Sequence, residues 1–224
     1  MKILTILPSV FEATPIFKYF REKASLGKLI SPSENLSILV SGIGCQTSKE
    51  RVERAVEEIK PDVIILMGYC GACSNTLKNG DFIFESNNSY FENIFKRLNI
   101  IRAKIACVDK TADETKKIQL WEMGYDAVDM ESDFFVSVAI SKKTDFIHIR
   151  CVSDSQKSAI PAEVMDCSMC RKSGNVNPMR MLSIGRLLKN PYILIKLIKF
   201  GIEIAPTQKI FSQKSVEIIK SFEK

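Results

Sequence analysis

The chain has 224 residues, of which 46% are hydrophobic and 26% charged, with a net charge of +6 and an isoelectric point near 8.9. This balance is typical of a soluble globular protein large enough to bury a substantial core. The lysines and arginines are scattered rather than grouped with groove-entering or aromatic motifs, which argues against nucleic-acid binding, and no apolar run reaches the roughly 18 residues that a membrane span needs.

Cysteine usage and the N-terminus predict a cytoplasmic protein. The seven cysteines are an odd number in a chain too long to need disulfide staples, as expected in a reducing compartment. Residues 1–10 lack a cationic lead and a small-residue cleavage site, so no signal peptide is predicted. Cys167 and Cys170 form an isolated pair, whereas a structural zinc site needs four ligands. No metal or cofactor is therefore predicted.

The first half of the chain alternates short apolar runs with helical periodicity. Strands are predicted over residues 2–7, 36–41, 63–67 and 82–85, and helices over residues 10–22 and 47–59. The run over residues 63–67 is almost entirely apolar, which is typical of a strand buried on both faces. Residues 68–73 that follow it are predicted to form a glycine-rich turn.

The second half continues the alternation and then changes character. Strands are predicted over residues 101–108 and 146–152, and helices over residues 111–123 and 133–143. Residues 155–177 are predicted to be a polar loop, residues 179–200 a helical segment interrupted at Asn190-Pro191, and residues 212–222 an amphipathic helix. The pattern predicts a single α/β domain over residues 1–224. Its core, residues 1–155, should be a mostly parallel or mixed twisted sheet with helices on both faces, and residues 156–224 a loop and helical extension.

Three carboxylates follow predicted strands directly. Glu12 comes after the first strand, Glu131 precedes the helix over residues 133–143, and Asp154 ends the strand over residues 146–152. In open α/β sheets, ligands bind at the strand ends. Acids brought together there can divide the work, one holding hydroxyl groups while another delivers a proton.

Six short motifs within residues 1–155 lie at predicted strand ends. They are Glu12; Gly42-Ile43-Gly44; Pro61-Asp62-Val63-Ile64-Ile65 running into Gly68-x-x-Gly71-Ala72; Gly80-Asp81; Val128-x-Met130-Glu131; and Arg150-x-x-Ser153-Asp154. Each is weak alone, but their order resembles the superfamily of purine nucleoside phosphorylases and methylthioadenosine/adenosylhomocysteine nucleosidases. The resemblance implies a nucleoside phosphorylase-like fold and an enzyme that cleaves the bond between a purine and its sugar.

The resemblance implies roles for the three acids. Glu131 would hold the ribose hydroxyls, since a carboxylate can accept two hydrogen bonds from a diol. Asp154 would protonate the purine nitrogen N7 as the glycosidic bond breaks. Glu12 would bind and polarise the attacking water in the hydrolytic branch.

Five further residues receive positions in the same site. Met130 would pack on the sugar face, Ser153 would orient neighbouring polar groups, and Arg150 would brace the loop that carries Asp154. Gly71 and Tyr69 belong to the glycine-rich turn, whose backbone N–H groups would approach the polar end of the substrate.

Departures from the superfamily favour hydrolysis. Hexameric phosphorylases carry a phosphate-binding arginine and serine where this chain has Leu66 and Tyr69. A phosphate co-substrate needs opposing charge in a desolvated site, so water is the favoured nucleophile. Lys49 and Arg51 could substitute for the missing arginine, which keeps phosphate open as a co-substrate.

Other features are similar to the hopanoid-associated branch of the superfamily, which is implied to release adenine from an adenosyl-lipid. They are the short segment between residues 81 and 126, with residues 110–113 where nucleosidases carry an aromatic insert; the helix containing Lys116; the string over residues 127–132; and the Asn190-Pro191 pattern within the apolar C-terminal segment. The apolar stripe over residues 179–200 is interpreted as core or subunit interface, with contact to a membrane surface as the less favoured alternative. The superfamily forms oligomers, so a homo-oligomer is expected.

The predicted function is hydrolysis of an adenine-type purine nucleoside, with or without a 5′ substituent. Two alternatives stay open: a phosphate-dependent phosphorylase, including the hopanoid-associated type, and a nucleoside-binding protein without turnover.

Overall fold

The computed structural model describes residues 1–43, 46–157, 169–170, 175–176 and 191–223. The strands are β1 (Ile3–Leu7), β2 (Leu29–Ser33), β3 (Leu36–Val40), β4 (Val63–Ala72), β5 (Phe82–Ser86), β6 (Ile101–Arg102), β7 (Ile105–Cys107), β8 (Ala127–Asp129), β9 (Asp145–Asp154), β10 (Met169–Cys170) and β11 (Asn175–Val176). The helices are α1 (Val10–Tyr19), α2 (Gln46–Ile59), α3 (Glu92–Arg97), α4 (Glu114–Glu122), α5 (Ser132–Ser141) and α6 (Pro191–Phe222).

Nine strands form one mixed sheet in the order β2-β3-β1-β4-β9-β5-β6, with β8 pairing with β4 and β7 with β8. Strands β3, β1, β4 and β9 run parallel to one another. Strands β2, β5 and β8 are antiparallel to β3, β9 and β4. The predicted mixed α/β sheet is therefore confirmed.

Alternate residues of the central strands face two separate cores, as the period of a strand requires. Ile65 and Ile147 face the first core, which also contains side chains from α1, α3 and α6. Ile64 and Leu66 face the second core, which contains side chains from α2 and α5. Helices thus cover both faces of the sheet, as predicted.

The predicted glycine-rich turn over residues 68–73 is wrong, because β4 continues through its glycines to Ala72. Strand β9 runs parallel beside it for the same length, pairing Gly68 with Arg150 and Gly71 with Asp154. Ladder hydrogen bonds to a long neighbour therefore override the local preference of glycine for turns. Two predicted site segments consequently lie side by side on adjacent strands.

Smaller differences arise at the sheet edges. The edge strand β2 was not predicted, because it is half-exposed and contains Pro32, which is tolerated at an edge. Helix α3 was not predicted either. The predicted strand over residues 101–108 is two strands, since β6 pairs with β5 whereas β7 pairs with β8.

The C-terminal helices are joined into one. Helix α6 runs from Pro191 to Phe222 and includes Pro206, so residues 191–200 and 212–222 belong to the same helix. Phe211, Ile218 and Phe222 bury its C-terminal half in the first core. Residues 179–190 lie outside the described residues. Within the described ranges, no helix combines the length and apolar character needed to cross a membrane.

Candidate functional site

Arg150, in the middle of β9 and paired with Gly68 of β4, is the centre of a buried charge cluster. Its guanidinium is fully buried, and Nη2 forms an ion pair with Asp129 and lies 3.3 Å from Oε2 of Glu131. Glu12 is close enough to interact electrostatically with the same guanidinium. We call Glu12, Asp129, Glu131 and Arg150 the arginine cluster. It sets three carboxyl groups around one cation, where burial makes an unpaired charge costly.

Glu12 is held at both oxygens. Ser9 is the N-cap of α1, and its side-chain oxygen accepts a hydrogen bond from the backbone N–H of Glu12. The Ser9 hydroxyl also lies 2.6 Å from Oε2 of Glu12. The backbone N–H of Tyr69 donates to Oε1 at 2.9 Å. The Ser9-x-x-Glu12 spacing is that of a capping box, in which the glutamate bonds back to the first residue's backbone. Here the carboxylate instead bridges α1 to β4, so helix capping alone does not account for it.

The carboxyl groups of the cluster differ in acidity. Burial raises the pKa of Glu12. Burial, together with the charges of Asp129 and Glu12, raises the pKa of Glu131 to about 8 despite the attraction of Arg150. Burial also opposes ionisation of Asp129, but Arg150, then His148 and the hydrogen bonds from Ser132, lower its pKa overall. The cluster therefore retains protons on Glu131 near neutral pH.

Gly68 provides the space in which Glu12 and Arg150 meet. A Cβ atom at this position would lie 2.5 Å from Oε1 of Glu12 and 2.7 Å from Nη1 of Arg150. Among the described residues, Nη1 and Nε of this guanidinium have no hydrogen-bond partner. A fully buried donor without a partner is rare in native structures. Nη1 is thus a buried donor, beside the Glu12 carboxylate, that the described residues leave unsatisfied.

Asp154 lies further along the same strands and is paired with Lys117. The ammonium of Lys117 forms an ion pair with Oδ2 of Asp154 and donates to the carbonyl oxygen of Ser155 at 2.8 Å. Lys117 is 1% exposed and Asp154 6% exposed. The Ser153 hydroxyl lies 2.6 Å from Oδ1 of Asp154 and 3.0 Å from the Cys70 carbonyl oxygen, and its one proton serves one of them at a time.

Gly71 has the same relation to this pair that Gly68 has to the arginine cluster. A Cβ atom on Gly71 would lie 2.9 Å from Cε of Lys117 and 3.3 Å from Oδ2 of Asp154. The two glycines are three positions apart on β4, a distance of about 10 Å. The structure therefore brings Glu12, Glu131 and Arg150 together, and places Asp154, the last residue of β9, beside Gly71 of β4. That all three acids line a single nucleoside-sized cavity stays a prediction.

Met130, Tyr69 and Arg51 were also considered as site residues. Met130 is partly buried between Asp129 and Glu131. The side chain of Tyr69 packs against Phe211 of α6, with ring centroids 4.5 Å apart, so its backbone rather than its ring contacts the arginine cluster. Arg51, considered as a phosphate ligand, donates to the Ser41 carbonyl oxygen at 2.7 Å.

Two sequence predictions fall partly outside the described residues, namely those on Gly44 of the Gly42-Ile43-Gly44 motif and on Cys167. In the part of the chain that the structure describes, no three His, Cys, Asp or Glu side chains are grouped so that they could hold a metal ion.

Sequence reasoning missed Lys117 and the role of Asp129. Lys117 precedes the buried Leu120 by three residues in α4, so helical spacing puts both on the covered face. A lysine on that face was the available signal. Asp129 precedes Ser132 by three residues and accepts its backbone N–H at 3.1 Å and its hydroxyl at 2.6 Å. This Asp-x-x-Ser spacing at a helix start is the signal for a capping carboxylate.

The raised pKa of Glu131 makes folding stability depend on pH. In the unfolded chain this carboxyl ionises near 4.5, whereas in the fold its pKa is about 8. Its contribution to stability is complete below the unfolded pKa and is lost as the pH rises through the folded pKa. We therefore expect the free energy of unfolding to fall between pH 6.5 and 8, with a slope that stays below the roughly 1.4 kcal/mol per pH unit of one complete proton. Urea unfolding at several pH values measures this slope.

The control for this experiment is a pair of glutamine variants. Glu131→Gln should flatten the slope, whereas Glu57→Gln, at an exposed pair with Lys142, should leave it unchanged. Burial lowers the pKa of His148 from 6.5 to about 3. Below pH 6.5 this residue therefore makes the free energy of unfolding rise with pH, so the measurements begin at pH 6.5. Equal slopes in the wild type and Glu131→Gln would contradict the prediction.

Solved structures similar to this chain come from nucleoside-cleaving enzymes. The Arabidopsis thaliana 5′-methylthioadenosine nucleosidase superposes with a TM-score of 0.65 at 13% identity, covering 99% of this chain and 95% of that one. The Colwellia psychrerythraea 5′-methylthioadenosine/S-adenosylhomocysteine nucleosidase, solved with adenine, has a TM-score of 0.56 at 16% identity over 69% of this chain and 84% of that one. A Helicobacter pylori futalosine hydrolase mutant has a TM-score of 0.54 at 15% identity over 70% and 90%.

Sequence comparison adds nothing to these structural similarities, because no family model and no curated protein matches the chain. At identities of 13–16% the similarity establishes the fold. The chain has the fold of the nucleosidases, as its motif order predicted.

Proposed function

We propose that the protein hydrolyses the N-glycosidic bond of a purine nucleoside, of adenine type, with or without a 5′ substituent. The observation that carries the proposal is the arrangement along β4. Glu12, Glu131 and the unpartnered Nη1 of Arg150 lie near Gly68, and Asp154 lies near Gly71. The separation of about 10 Å suits a nucleoside with its sugar at the first position and its base at the second. The nucleosidase fold supports the same assignment.

Glu131 holds the ribose in this proposal. Its carboxylate accepts hydrogen bonds from the 2′ and 3′ hydroxyls, with Met130 against the sugar. In the free protein burial and neighbouring carboxylates raise its pKa to about 8. Hydrogen bonds donated to the charged form favour that form, so binding of the diol promotes ionisation. The proton released on binding couples substrate affinity to pH.

Glu12 and Arg150 position the attacking water. Burial raises the pKa of Glu12, which makes its carboxylate a stronger base towards the water. The Arg150 Nη1 donor beside it holds the water oxygen. As that oxygen bonds to C1′, the bond from C1′ to N9 breaks and its electron pair passes into the purine. The carboxylates of the arginine cluster also stabilise the positive charge that develops on the sugar.

Asp154 supplies the proton that the departing base needs. A protonated Asp154 donates to N7, so the purine leaves as a neutral molecule rather than as an anion. The Ser153 hydroxyl, 2.6 Å from Oδ1, orients the carboxyl group. In this proposal each of the three acids therefore has one task.

Hydrolysis is favoured over phosphorolysis by the charges near Gly68. The arginine cluster holds three carboxyl groups around one guanidinium, and a phosphate dianion placed there would meet them without a second cation from the described residues of the cluster. Leu66, at the position of the phosphorylase arginine, is fully buried in the second core. Arg51 is engaged with Ser41. Water carries no charge and meets none of this repulsion.

Incubating the protein with adenosine, inosine, methylthioadenosine and adenosylhomocysteine, with and without phosphate, tests the proposal. Free adenine in phosphate-free buffer is the expected product. Strict dependence on phosphate would replace hydrolysis with a phosphorylase activity. Binding of adenine or a nucleoside without release of base in either buffer would instead support a nucleoside-binding protein.

A further inference from the structure

We propose that Lys117 is a positioning residue for base departure, acting through Asp154. This role rests on the proposed function, because it concerns the proton that Asp154 gives to N7. Lys117 lies on α4, whereas Glu12 lies on α1, Glu131 just before α5 and Asp154 on β9. The inference starts from the ion pair between the Lys117 ammonium and Oδ2 of Asp154.

Lys117 is a cation buried in the protein interior. Its side chain is 1% exposed and extends from α4 to the end of β9, where it contacts the Asp154 carboxylate and the Ser155 carbonyl. The absence of a Cβ on Gly71 leaves the space for Cε and Nζ. Lysine is among the residues least often buried completely, and then almost always paired. A buried ion pair adds little stability compared with apolar side chains, so folding alone gives no reason for it.

The ion pair can stabilise the charge that develops on Asp154 during the proposed reaction. Asp154 first takes up a proton from solvent on Oδ1, the oxygen that Lys117 does not contact. As the C1′–N9 bond breaks, its electrons enter the purine and this proton moves from Asp154 to N7. The carboxyl group then becomes a carboxylate, while Lys117 keeps all its protons. Negative charge therefore develops on Asp154 in the transition state, in the carboxyl group that a fixed ammonium already contacts. A preorganised charge aimed at developing charge lowers the barrier.

The same contact fixes the geometry. Oδ2 is held by Lys117, and Oδ1 is 2.6 Å from the Ser153 hydroxyl. The carboxyl group cannot rotate without breaking one of these contacts. A positioned acid is more effective than a mobile one because its orientation is set before the reaction.

The test compares two substrates that differ in their need for base protonation. Adenosine needs a proton on N7, whereas 4-nitrophenyl β-D-ribofuranoside releases nitrophenolate without one. Lys117→Met should lower kcat for adenosine about 10-fold or more, and change kcat for the nitrophenyl riboside by less than about 3-fold. Lys117→Arg, which keeps the charge, should recover part of the adenosine rate. Lys116→Met, at the exposed neighbour on α4, should change neither rate.

A double variant covers the case in which Lys117→Met does not fold because it leaves a buried carboxylate unpaired. Asp154→Asn with Lys117→Met removes both charges, and its adenosine rate should equal that of Asp154→Asn alone. Equal losses on both substrates, no loss on adenosine, or a further loss in the double variant would overturn the role of Lys117. A wild-type protein that cleaves neither substrate would overturn the proposed function itself.

Discussion

Arg150→Met is expected to lower the free energy of unfolding by about 3–5 kcal/mol, the usual cost of leaving a buried charge without its partner. The guanidinium is fully buried, and it pairs with Asp129 and Glu131 while also attracting Glu12. Methionine would fill much of the volume but would leave three carboxyl groups facing one another. Urea unfolding of the variant and the wild type at the same pH measures the difference.

The matched control is Arg102→Met. Arg102 pairs with Glu92, but their side chains are 62% and 43% exposed, and such surface pairs contribute about 0–1 kcal/mol. The loss at Arg150 should also shrink as the pH falls, because Asp129, whose pKa Arg150 lowers, can take up a proton once the guanidinium is gone. Similar losses for the two arginine variants would show that Arg150 does not hold the cluster together.

The sequence could predict those parts of the site whose position depends on where a strand ends. Glu12, Glu131 and Asp154 were expected at strand ends because a change from apolar run to helix marks where a strand stops. The parallel strands β1 and β9 carry the ends near Glu12 and Asp154 to one edge, whereas Glu131 follows β8, which runs antiparallel to β4. The mixed α/β sheet with helices on both faces follows from the same alternation, and the structure confirms it.

What sequence could not predict depends on contacts between distant segments. The glycines at positions 68 and 71 indicated a turn, yet pairing with β9 extends β4 through both. Their function is to leave room for buried side chains of α1, α4 and β9, which no local pattern specifies. Lys117 was overlooked for the same reason, because its partner Asp154 lies 37 residues away. Ion pairs of this kind are visible only once the fold has brought their helix and strand together.

Asp154→Asn is expected to lower kcat for purine nucleosides by about 100-fold or more, the scale of a positioned general acid. Asparagine keeps the shape of the side chain and an oxygen that can accept the hydrogen bond from Lys117, but it has no carboxyl proton to give to N7. Because the change spares Glu12, Glu131 and Arg150, nucleoside binding should persist while turnover fails. Steady-state kinetics on adenosine, with circular dichroism to confirm folding, measure the effect.

Asp126→Asn is the control. Like Asp154, Asp126 lies at one end of a strand and accepts a hydrogen bond, here from the Lys104 backbone N–H at 2.8 Å, but it is partly exposed. It should retain wild-type rates. Unchanged rates in Asp154→Asn would remove this carboxyl group from the mechanism and leave the ion pair with Lys117 as a structural contact. A large loss confined to Asp154→Asn, with binding retained, would place the base of the substrate beside Gly71, because the proton must be delivered from within hydrogen-bond distance of N7.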